Sequence, residues 1–522
     1  MSVTIPRDTL PYWLAQRASS YPEDEALVVS GERLSWRQLS QASLALAGGL
    51  RALGVGAGDH IGVLASNSVA WVCTWHAAAH LGAAIVALNT RWKDEELSWA
   101  IDYADVSVLV YDHRVLTADL LDRVGRLRHQ WPKLRRLIQS SGDTPSWALP
   151  LEVVRDAPPR CDARPDAVTL IQFTSGSTAR PKGVMLTQAG MLENARGSAQ
   201  AMGMVRGDRY FSPRPFFHVA GSTGGILRTL VTGACLVTTP AFDEIQAVEI
   251  LLHEPCDLVA GNDAMLLKLM ASLGDARVSR LRGGQAAAGP EIQRQLHDRL
   301  GIGGMCCSYG LSEVSPGVAF ARWNDPLEER IAGKMWPLPG VKLRIRDPET
   351  GLDLPAGQSG EVLVKGPSVM LGYYKMPEAT AAALSPDGWL ATGDIGLLEP
   401  SGQFRFIGRL KDIIRVGGEN LAPAELEDLL LRHPSIAASQ VVGLPDPRLG
   451  EVPVAFVALK PGESCTPKDL IDWTRERIAG FKVPQHLMLV PGFEDVMTGS
   501  GKPRKELLRA RALTSFSPSS AI

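Results

Sequence analysis

The feature that most constrains the fold is an apolar stretch that runs directly into a polar, glycine-containing loop. Residues 168–172 read Val-Thr-Leu-Ile-Gln, a pattern that predicts a short buried strand. The eleven residues that follow, 173–183, contain four hydroxyl side chains, two glycines and Lys182. Residues 184–187 then lead towards a predicted helix. A core strand, a polar loop and a helix in this order are typical of an α/β architecture.

The composition of this loop suits a polyphosphate ligand. Hydroxyls and backbone N–H groups can wrap phosphate oxygens, and a lysine can neutralise their charge. The loop is not a Walker A motif, because that motif ends Gly-Lys-Ser/Thr at a helix start, whereas Lys182 lies between Pro181 and Gly183. A flexible polar linker is the alternative, but it would not explain Pro-Lys-Gly directly after an apolar strand.

The loop resembles the phosphate-binding loop of the adenylate-forming superfamily, which includes acyl- and aryl-CoA synthetases, luciferases and stand-alone adenylation domains. The usual form there is Tyr/Phe-Thr-Ser-Gly-Ser/Thr-Thr-Gly-x-Pro-Lys-Gly, and ten of the eleven positions fit it. The exception is Ala179, where the superfamily has glycine. The resemblance implies that ATP, or an acyl adenylate, is held by Thr174, Ser175, Gly176, Ser177, Thr178 and Lys182. It also places Thr174 near Mg²⁺.

A second motif, residues 308–313, reads Ser-Tyr-Gly-Leu-Ser-Glu and is similar to the superfamily's Tyr-Gly-x-Thr-Glu. The resemblance implies that Tyr309 stacks on adenine, Ser312 reaches the α-phosphate and Glu313 holds Mg²⁺. The residue types suit these roles, since a carboxylate is a hard oxygen ligand that leaves room for phosphate on the metal. So short a motif by itself is more typical of an ordinary turn, but its spacing from the phosphate loop favours the site.

A third motif combines residues 388–394, Gly-Trp-Leu-Ala-Thr-Gly-Asp, with residues 408–412, Gly-Arg-Leu-Lys-Asp. The resemblance implies that Asp394 accepts the two ribose hydroxyls and that Arg409 lies beside it. A carboxylate offers two acceptor oxygens, which fits a cis-diol. The alternative is a turn aspartate, and the match across residues 389–412 favours the ribose site.

Three further positions follow from the resemblance. Lys411 occupies the hinge about which the C-terminal domain of the superfamily swings. Gly417 and Gly418 line the channel for the pantetheine arm of CoA, where a backbone without side chains lets the thiol pass, although a solvent-exposed turn is the alternative. Lys502, in Ser-Gly-Lys, is the mobile catalytic lysine that bridges the substrate carboxylate and the α-phosphate.

Two short motifs bear on the subclass. Residues 215–218, Pro-Phe-Phe-His, resemble the Pro-x-Phe-His of acyl- and aryl-CoA synthetases, which implies that His218 lies near the reacting carboxylate and gates the approach of CoA. Amino-acid adenylation domains carry an aspartate near this point, and residues 211–228 contain none. Residues 481–484, Phe-Lys-Val-Pro, are similar to the Tyr/Phe-Lys-x-Pro of CoA-using members. Together these motifs favour CoA over a carrier protein.

With 522 residues, the chain predicts a large domain and a smaller one. Helical and apolar strand patterns alternate in the first part, short alternating β patterns fill residues 341–409, and a compact α+β pattern follows. The predicted fold is α/β: an N-terminal domain, residues 1–410, of parallel-sheet α/β subdomains plus a β subregion, and a small mobile α+β domain, residues 411–522. The last residues, 511–522, are predicted to fray.

Charge and cysteine usage exclude several classes of function. The net charge of −2 gives no global attraction to nucleic acid or membrane, and the seven cysteines lack metal spacing, which indicates a reduced, cytoplasmic protein. Residues 69–88 carry no formal charge, yet His76, His80 and Gly82 argue against a membrane span. We predict a buried helix to His80, a glycine break and a core strand there. The oligomeric state stays open, with a homodimer as one option.

The resemblance implies an AMP-forming acid–CoA ligase that uses ATP, CoA and Mg²⁺ on a small carboxylic acid. Two alternatives remain: a member weakened in adenylation by Ala179 that mainly converts preformed acyl-AMP to acyl-CoA, and an enzyme that loads a carrier protein. The segments predicted to line the acid pocket are rich in Gly, Ala and Ser, with no evident Arg or Lys for a second carboxylate: residues 218–225, 261–265, 286–288 and 313–318. This composition predicts a roomy, apolar pocket for a bulky or long acid.

Overall fold

A computed structural model describes residues 5–174, 180–274, 276–278, 280–497 and 503–516. The fold is mixed α/β, with a large N-terminal domain built on parallel sheets and a smaller C-terminal domain. All seven cysteines are unpaired thiols. Across the described ranges, no helix is both long enough and apolar enough to cross a lipid bilayer.

The strands, in chain order, are β1 (Glu25–Val29), β2 (Glu32–Ser35), β3 (His60–Leu64), β4 (Ala84–Ala87), β5 (Val106–Tyr111), β6 (Arg114–Val115), β7 (Ala118–Asp119), β8 (Arg136–Gln139), β9 (Leu149–Pro150), β10 (Val168–Thr174), β11 (Lys182–Thr187), β12 (Arg209–Phe211), β13 (Cys235–Thr238), β14 (Leu258–Asn262), β15 (Gly283–Ala287), β16 (Gly304–Gly310), β17 (Gly317–Phe320), β18 (Trp336–Pro337), β19 (Lys342–Arg346), β20 (Ser359–Lys365), β21 (Gly372–Tyr373), β22 (Leu390–Leu398), β23 (Phe404–Arg409), β24 (Ile414–Val416), β25 (Glu419–Leu421), β26 (Ile436–Asp446), β27 (Gly450–Leu459) and β28 (His486–Leu489).

The α-helices are α1 (Leu10–Ser20), α2 (Trp36–Ala52), α3 (Val69–His80), α4 (Asp94–Tyr103), α5 (Leu120–Leu127), α6 (Gln188–Ala201), α7 (Arg228–Thr232), α8 (Glu244–His253), α9 (Asp263–Leu273), α10 (Pro290–Leu300), α11 (Leu327–Ile331), α12 (Pro377–Ala383), α13 (Pro423–Leu431), α14 (Pro467–Arg475) and α15 (Lys505–Phe516). A π-helical segment, Ser222–Leu227, directly precedes α7.

Two large sheets form the N-terminal domain. The nine-stranded sheet has the order β18-β17-β16-β15-β14-β12-β13-β1-β2, and the eight-stranded sheet has the order β21-β11-β10-β4-β3-β5-β8-β9. The central strands of both sheets pair in parallel, whereas β2, β11, β17, β18 and β21 pair antiparallel at the edges. Parallel strands are covered on both faces and read as continuous apolar runs. All six residues of β5, for example, are buried.

Helix α3 explains the uncharged stretch between residues 69 and 88. The largest core cluster joins side chains of α2, α3 and α6 to side chains of both large sheets, so these helices lie between the sheets. Trp71 and Trp75 of α3 are completely buried. Gly82 has φ +70, a conformation that favours glycine, and β4 begins two residues later. The predicted buried helix, glycine break and core strand are therefore all present.

Three smaller sheets complete the described part of the molecule, and one of them is the two-stranded sheet of β6 and β7. Strands β19, β20, β22 and β23 form the predicted antiparallel subregion, and β24 to β28 form the sheet of the C-terminal domain. Helix α13 of this domain approaches α10, where the Asp428 carboxylate accepts a hydrogen bond of 2.9 Å from the Glu291 amide.

The prediction that the chain frays from residue 511 is wrong for part of that segment. Helix α15 continues to Phe516. Leu508 and Ala512 are fully buried and pack with Phe456 and Val496 in a second core cluster of the C-terminal domain. This burial keeps the chain helical as far as Phe516, which the polar composition of the last residues did not indicate.

His76 of α3 gives the fold a predictable pH dependence. Both of its ring nitrogens are buried without a hydrogen-bond partner in the described part of the chain, and burial lowers the pKa of the imidazole to about 4. The unfolded chain, with an ordinary histidine pKa of about 6.5, then binds a proton that the folded chain does not. The contribution of the neutral His76 to the free energy of unfolding is therefore fully present above a pH of about 6.5, and it is lost as the pH falls from about 6.5 towards 4.

Between pH 7 and pH 5, the free energy of unfolding of the wild type should fall by about 2 kcal/mol because of His76, and we expect this part of the fall to be absent in His76→Leu. Urea unfolding at several pH values measures this difference. His60 and His80, whose pKa values burial also lowers, contribute equally to both proteins. His129→Leu is the control, because His129 is exposed, and its free energy of unfolding should depend on pH as that of the wild type does. An unchanged pH dependence in His76→Leu would contradict the prediction.

Candidate active site

The base of the predicted phosphate loop is fixed by two paired strands. Strand β10 ends at Thr174 and β11 begins at Lys182, and these two residues face each other in the antiparallel ladder. Because β10 also pairs in parallel with β4, the loop is anchored on the core of the eight-stranded sheet. The other predicted loop residues, with Ala179, lie outside the described residues: Ser175, Gly176, Ser177 and Thr178.

One tyrosine connects the loop lysine to the predicted metal ligand. The Lys182 ammonium nitrogen lies 4.7 Å from the centroid of the Tyr373 ring, a distance typical of a cation–π contact. The Tyr373 hydroxyl donates a hydrogen bond of 2.9 Å to Glu313 Oε1. Burial and the Glu313 carboxylate raise the pKa of Tyr373, which keeps its phenol protonated as a donor. Lys182 and Glu313, distant in sequence, are thus held on either side of one ring.

Glu313 and Ser312 lie together in a short turn, Ser312–Val314, that follows β16. The turn is held from two sides. The Met370 amide donates to the Glu313 carbonyl at 2.8 Å, and Asn194 Nδ2 donates to the Val314 carbonyl at 2.9 Å. Both predicted side chains are only partly buried, so they remain accessible to a ligand.

The oxygen chemistry of this turn fits Mg²⁺. The described residues contain no group of three or more His, Cys, Asp or Glu side chains that could enclose a metal ion. Mg²⁺ in nucleotide enzymes is commonly held by one or two carboxylates together with phosphate oxygens and water. Glu313, oriented by Tyr373, offers one such carboxylate.

The predicted ribose site combines three neighbouring strands. Tyr309 on β16 donates a hydrogen bond of 2.7 Å from its hydroxyl to Asp394 Oδ2 on β22. Arg409 on β23, the register partner of Asp394, places its Nε 3.3 Å from Oδ1. The Asp394 side chain is 4% exposed and that of Arg409 is 50% exposed. Burial raises the pKa of Tyr309 well above its usual range, so the phenol stays neutral.

The ring predicted to stack on adenine belongs to an aromatic cluster. Tyr309 lies nearly parallel to Phe406, with centroids 5.2 Å apart and 18° between planes, and it also contacts Phe404. Tyr309 is 6% exposed, whereas Phe406 is 42% exposed. Phe406 therefore offers a second flat surface at the predicted nucleotide site. We did not single it out from the sequence, although the alternating pattern of residues 402–408 could have indicated an outward-facing ring.

His218 lies at a tight turn connected to the phosphate loop. Its Nδ1 accepts a hydrogen bond of 3.2 Å from the Ala220 amide, and its carbonyl accepts one of 2.8 Å from the Gly221 amide. Gln172 of β10 donates to the Phe217 carbonyl at 2.7 Å. The turn requires glycine, because a Cβ on Gly221 would lie 2.2 Å from the Pro215 carbonyl oxygen.

The residues predicted for the hinge and the CoA channel form a separate group. Lys411 is exposed, between β23 and β24. Gly417 and Gly418 connect β24 to β25 with φ +60 and +91, which is the geometry of a tight hairpin turn. Within the described ranges, no hydrogen bond or ion pair links these three residues to Glu313 or Asp394. Lys502 lies outside the described residues.

Two buried arginines were missed by the sequence analysis. Arg214 and Arg228 are 5% and 0% exposed, and Arg214 Nη2 donates to the Gly261 carbonyl at 2.9 Å. Only the segments predicted to line the acid pocket were considered from the sequence, and the Arg214 guanidinium contacts one of them at Gly261. The only available signal was an arginine within two otherwise uncharged stretches, and sequence alone does not say which way such a side chain points.

Comparisons with known proteins match most of the chain. The family model described as AMP-binding enzyme matches residues 14–374, and the model described as AMP-binding enzyme C-terminal domain matches residues 425–502. A feruloyl-CoA synthase from Amycolatopsis sp is 34% identical over 507 residues, covering 96% of this chain and 98% of that protein. A methyl-dioxo-octahydro-indenyl-propanoyl:CoA ligase from Mycobacterium tuberculosis is 33% identical over 515 residues, with coverage of 96% and 98%.

A solved structure supports the fold over the whole chain. The crystal structure of the anthranilate CoA ligase AuaEII in complex with anthranoyl-AMP superposes with a TM-score of 0.89. It is 22% identical, and the superposition covers 98% of both chains.

Proposed function

The chain belongs to the AMP-binding enzyme family and is an AMP-forming acid–CoA ligase, and from this premise we propose how its residues carry the two half-reactions. In the first, a carboxylate oxygen of the acid attacks the α-phosphorus of ATP, and the bond to the bridging oxygen breaks to release pyrophosphate. In the second, the CoA thiol attacks the acyl carbon, and AMP leaves. The observation that carries the proposal is the set of contacts among Lys182, Tyr373 and Glu313.

In the adenylating step, each residue stabilises one part of the nucleotide. Lys182 and Thr174 bind phosphate oxygens together with the rest of their loop. Asp394 accepts the ribose hydroxyls, with Arg409 fixing its charge. Glu313 would hold Mg²⁺, which when bound offsets charge on the phosphates. Ser312 donates to the α-phosphate, and Lys502 brings a further cation to the oxygens that gain charge in the transition state.

In the thioester step, we propose that the C-terminal domain, residues 411–522, turns about Lys411 relative to residues 1–410. Gly417 and Gly418 then approach the acyl adenylate and let the pantetheine thiol pass. Both glycines are exposed and follow Lys411 closely, which suits a movement that begins there. The thiol attacks as a thiolate, a good nucleophile towards an anhydride. His218 lies where the acid and the thiol meet and controls access between them.

We propose that the acid is bulky and that the wall next to its carboxylate is small and apolar. The strand ends that face the site carry Gly261, Ala286 and Ala287, and Ala287 is exposed at the end of β15. The three similar proteins are named for feruloyl, indenyl-propanoyl and anthranoyl groups, all of which contain rings. A ring-containing acid therefore fits both the small wall residues and these relatives. CoA is the proposed acceptor, with a carrier protein as the alternative.

Acid-dependent ATP–pyrophosphate exchange across aryl, fused-ring and fatty acids tests the first half-reaction. We expect exchange with ring-containing acids, and we expect Ala179→Gly to change the rate by less than about threefold. Release of AMP with CoA alone, without a carrier protein, tests the acceptor. Ala276→Gly, at an exposed position, is the matched control for Ala179→Gly and should keep the wild-type exchange rate.

A silent wild type with an active Ala179→Gly variant would contradict the two-step proposal. The loss of adenylation would then be due to backbone strain from alanine at a position that normally holds glycine. The function would be the conversion of preformed acyl-AMP to acyl-CoA, in place of the two-step ligase reaction. A requirement for a carrier protein would overturn the choice of CoA.

A further inference from the structure

Two guanidinium groups lie beneath the carboxyl ends of β14 and β15. Arg214 Nη1 donates to Gln285 Oε1 at 2.9 Å, and its Nη2 donates to the Gly261 carbonyl at 2.9 Å. Arg228 Nη1 donates to the same Gln285 Oε1 at 2.5 Å, and its Nε donates to Ser198 Oγ at 2.7 Å. One neutral amide oxygen is thus shared by two cations.

Among the residues that the structure describes, no carboxylate pairs with either guanidinium. In the described part of the chain, neither guanidinium forms an ion pair, and their other polar contacts are carbonyl oxygens, the Tyr210 hydroxyl and the Met202 sulfur. Burial lowers the pKa of Arg214 to about 10, which leaves this group charged at neutral pH, and burial also lowers the pKa of Arg228. Arginine side chains stay protonated in proteins. Buried charges are normally paired, because an unpaired charge is costly to remove from water. The cluster therefore has an excess of positive charge.

The cluster also has unused hydrogen-bond donors. Arg228 Nη2 is buried without a partner among the described residues, as are the hydroxyls of Ser212 and Thr223. The π-helical segment Ser222–Leu227 passes beside them with two glycines. A Cβ on Gly224 would lie 3.7 Å from Arg228 Nη2, and a Cβ on Gly225 would lie 3.8 Å from Ser212 Oγ. The π-helical segment therefore presents two positions without side chains to these donors, and the Phe320 ring centroid lies 5.3 Å from Arg228 Cζ. Segments of this kind are frequent at functional sites.

The cluster adjoins residues that are proposed to contact the acid and the nucleotide. Arg214 precedes His218 by four residues in the same connection after β12. Gln285 Nε2 donates at 2.7 Å to Ser308, the residue before Tyr309. When the reacting carboxylate of an acid lies near His218 and the nucleotide, the far end of that acid therefore points towards the buried cluster.

We propose that Arg214, Arg228 and Gln285 bind a second acceptor oxygen, a carboxylate or a ketone, at the distal end of the acid. This inference rests on the proposed function, because it names a feature of the acid that the ligase activates. Gln285 Oε1 occupies the acceptor position between the two guanidiniums, and rotation of its side chain frees both for the substrate. A carboxylate would accept from both cations and offset one of the two positive charges, whereas a ketone would only accept hydrogen bonds.

Acids matched in length and ring size, and differing only at the far end, test the proposal. The measurement is kcat/KM for acid-dependent pyrophosphate exchange with a methyl, keto or carboxylate terminus. In the wild type, we expect at least one acceptor-bearing acid to exceed its methyl counterpart by about tenfold or more. In Arg228→Met, which removes charge but keeps a long side chain, this ratio should fall close to unity.

Arg196→Met is the matched control and should keep the wild-type ratio, since Arg196 lies on α6 near Ser198 but pairs with Asp8 and Glu193. The carboxylate-to-ketone ratio in the wild type then identifies the acceptor. If Arg228→Met does not fold, the wild-type ratios decide alone.

Equal or better use of the methyl-terminated acids by the wild type would overturn the proposal and leave the arginines as supports for strand carbonyls. An unchanged ratio in folded Arg228→Met would also overturn it. Absence of exchange with every acid would instead be a failure of the proposed function, and the distal-acceptor proposal would fall with it.

Discussion

Glu313→Gln is expected to lower acid-dependent ATP–pyrophosphate exchange by about 10²–10³-fold. The substitution keeps the size of the side chain and an oxygen that can accept the Tyr373 hydrogen bond of 2.9 Å. It removes the negative charge that a hard divalent cation requires of its ligand. Exchange measured as a function of Mg²⁺ concentration should show both a lower maximum and a shift to higher concentrations of the ion.

Glu328→Gln is the matched control, because Glu328 is exposed and only pairs with Arg294 at 3.2 Å on the surface. It should keep wild-type exchange. Tyr373→Phe should have a smaller effect than Glu313→Gln, because it leaves the carboxylate in place and removes only the hydrogen bond that orients it. Full exchange by Glu313→Gln at ordinary Mg²⁺ concentrations would show that Glu313 is not a ligand of the ion.

The parts of the fold that the sequence predicts are those in which one local pattern decides the outcome. The stretch from Val69 to Leu88 has a helical part, a glycine and a β-branched run, and each element appears where its pattern places it. Strand β10 was likewise predicted, because apolar residues without a helical period have few alternatives in a parallel sheet. The end of α15 was missed, since its stability depends on distant side chains such as Phe456.

The candidate site also contains residues that the sequence predicts and residues that only the structure reveals. Residue types and spacing led to Tyr309, Glu313 and Asp394 because each motif resembles a known one. The fold then brings Tyr309 on β16 and Asp394 on β22, which belong to different sheets, into direct contact. Arg228 carries no motif, and its burial results from the packing of α6, α7 and β15. Only the three-dimensional structure reveals that its guanidinium shares Gln285 with that of Arg214.

The second large effect is expected from Gly310→Ala. Gly310 separates Tyr309 from the turn that carries Glu313, and it pairs with Gly317 in the β16–β17 hairpin. A Cβ at this position would lie 1.8 Å from the carbonyl oxygen of Pro316. That oxygen belongs to the backbone and cannot rotate away, so the hairpin must open. We expect the free energy of unfolding to fall by about 3 kcal/mol or more, and adenylation to be lost because both flanking side chains move.

Gly303→Ala provides a control one residue before the same strand. Gly303 is exposed, and no atom lies within 4 Å of the position that its Cβ would take. Its unfolding free energy should stay within about 0.5 kcal/mol of the wild type, with normal exchange. Urea unfolding and pyrophosphate exchange measured on both variants separate a general intolerance of alanine in this strand from the specific contact with Pro316. A stable and active Gly310→Ala would show that the hairpin relaxes around the new methyl group, and that the spacing of Tyr309 and Glu313 does not depend on it.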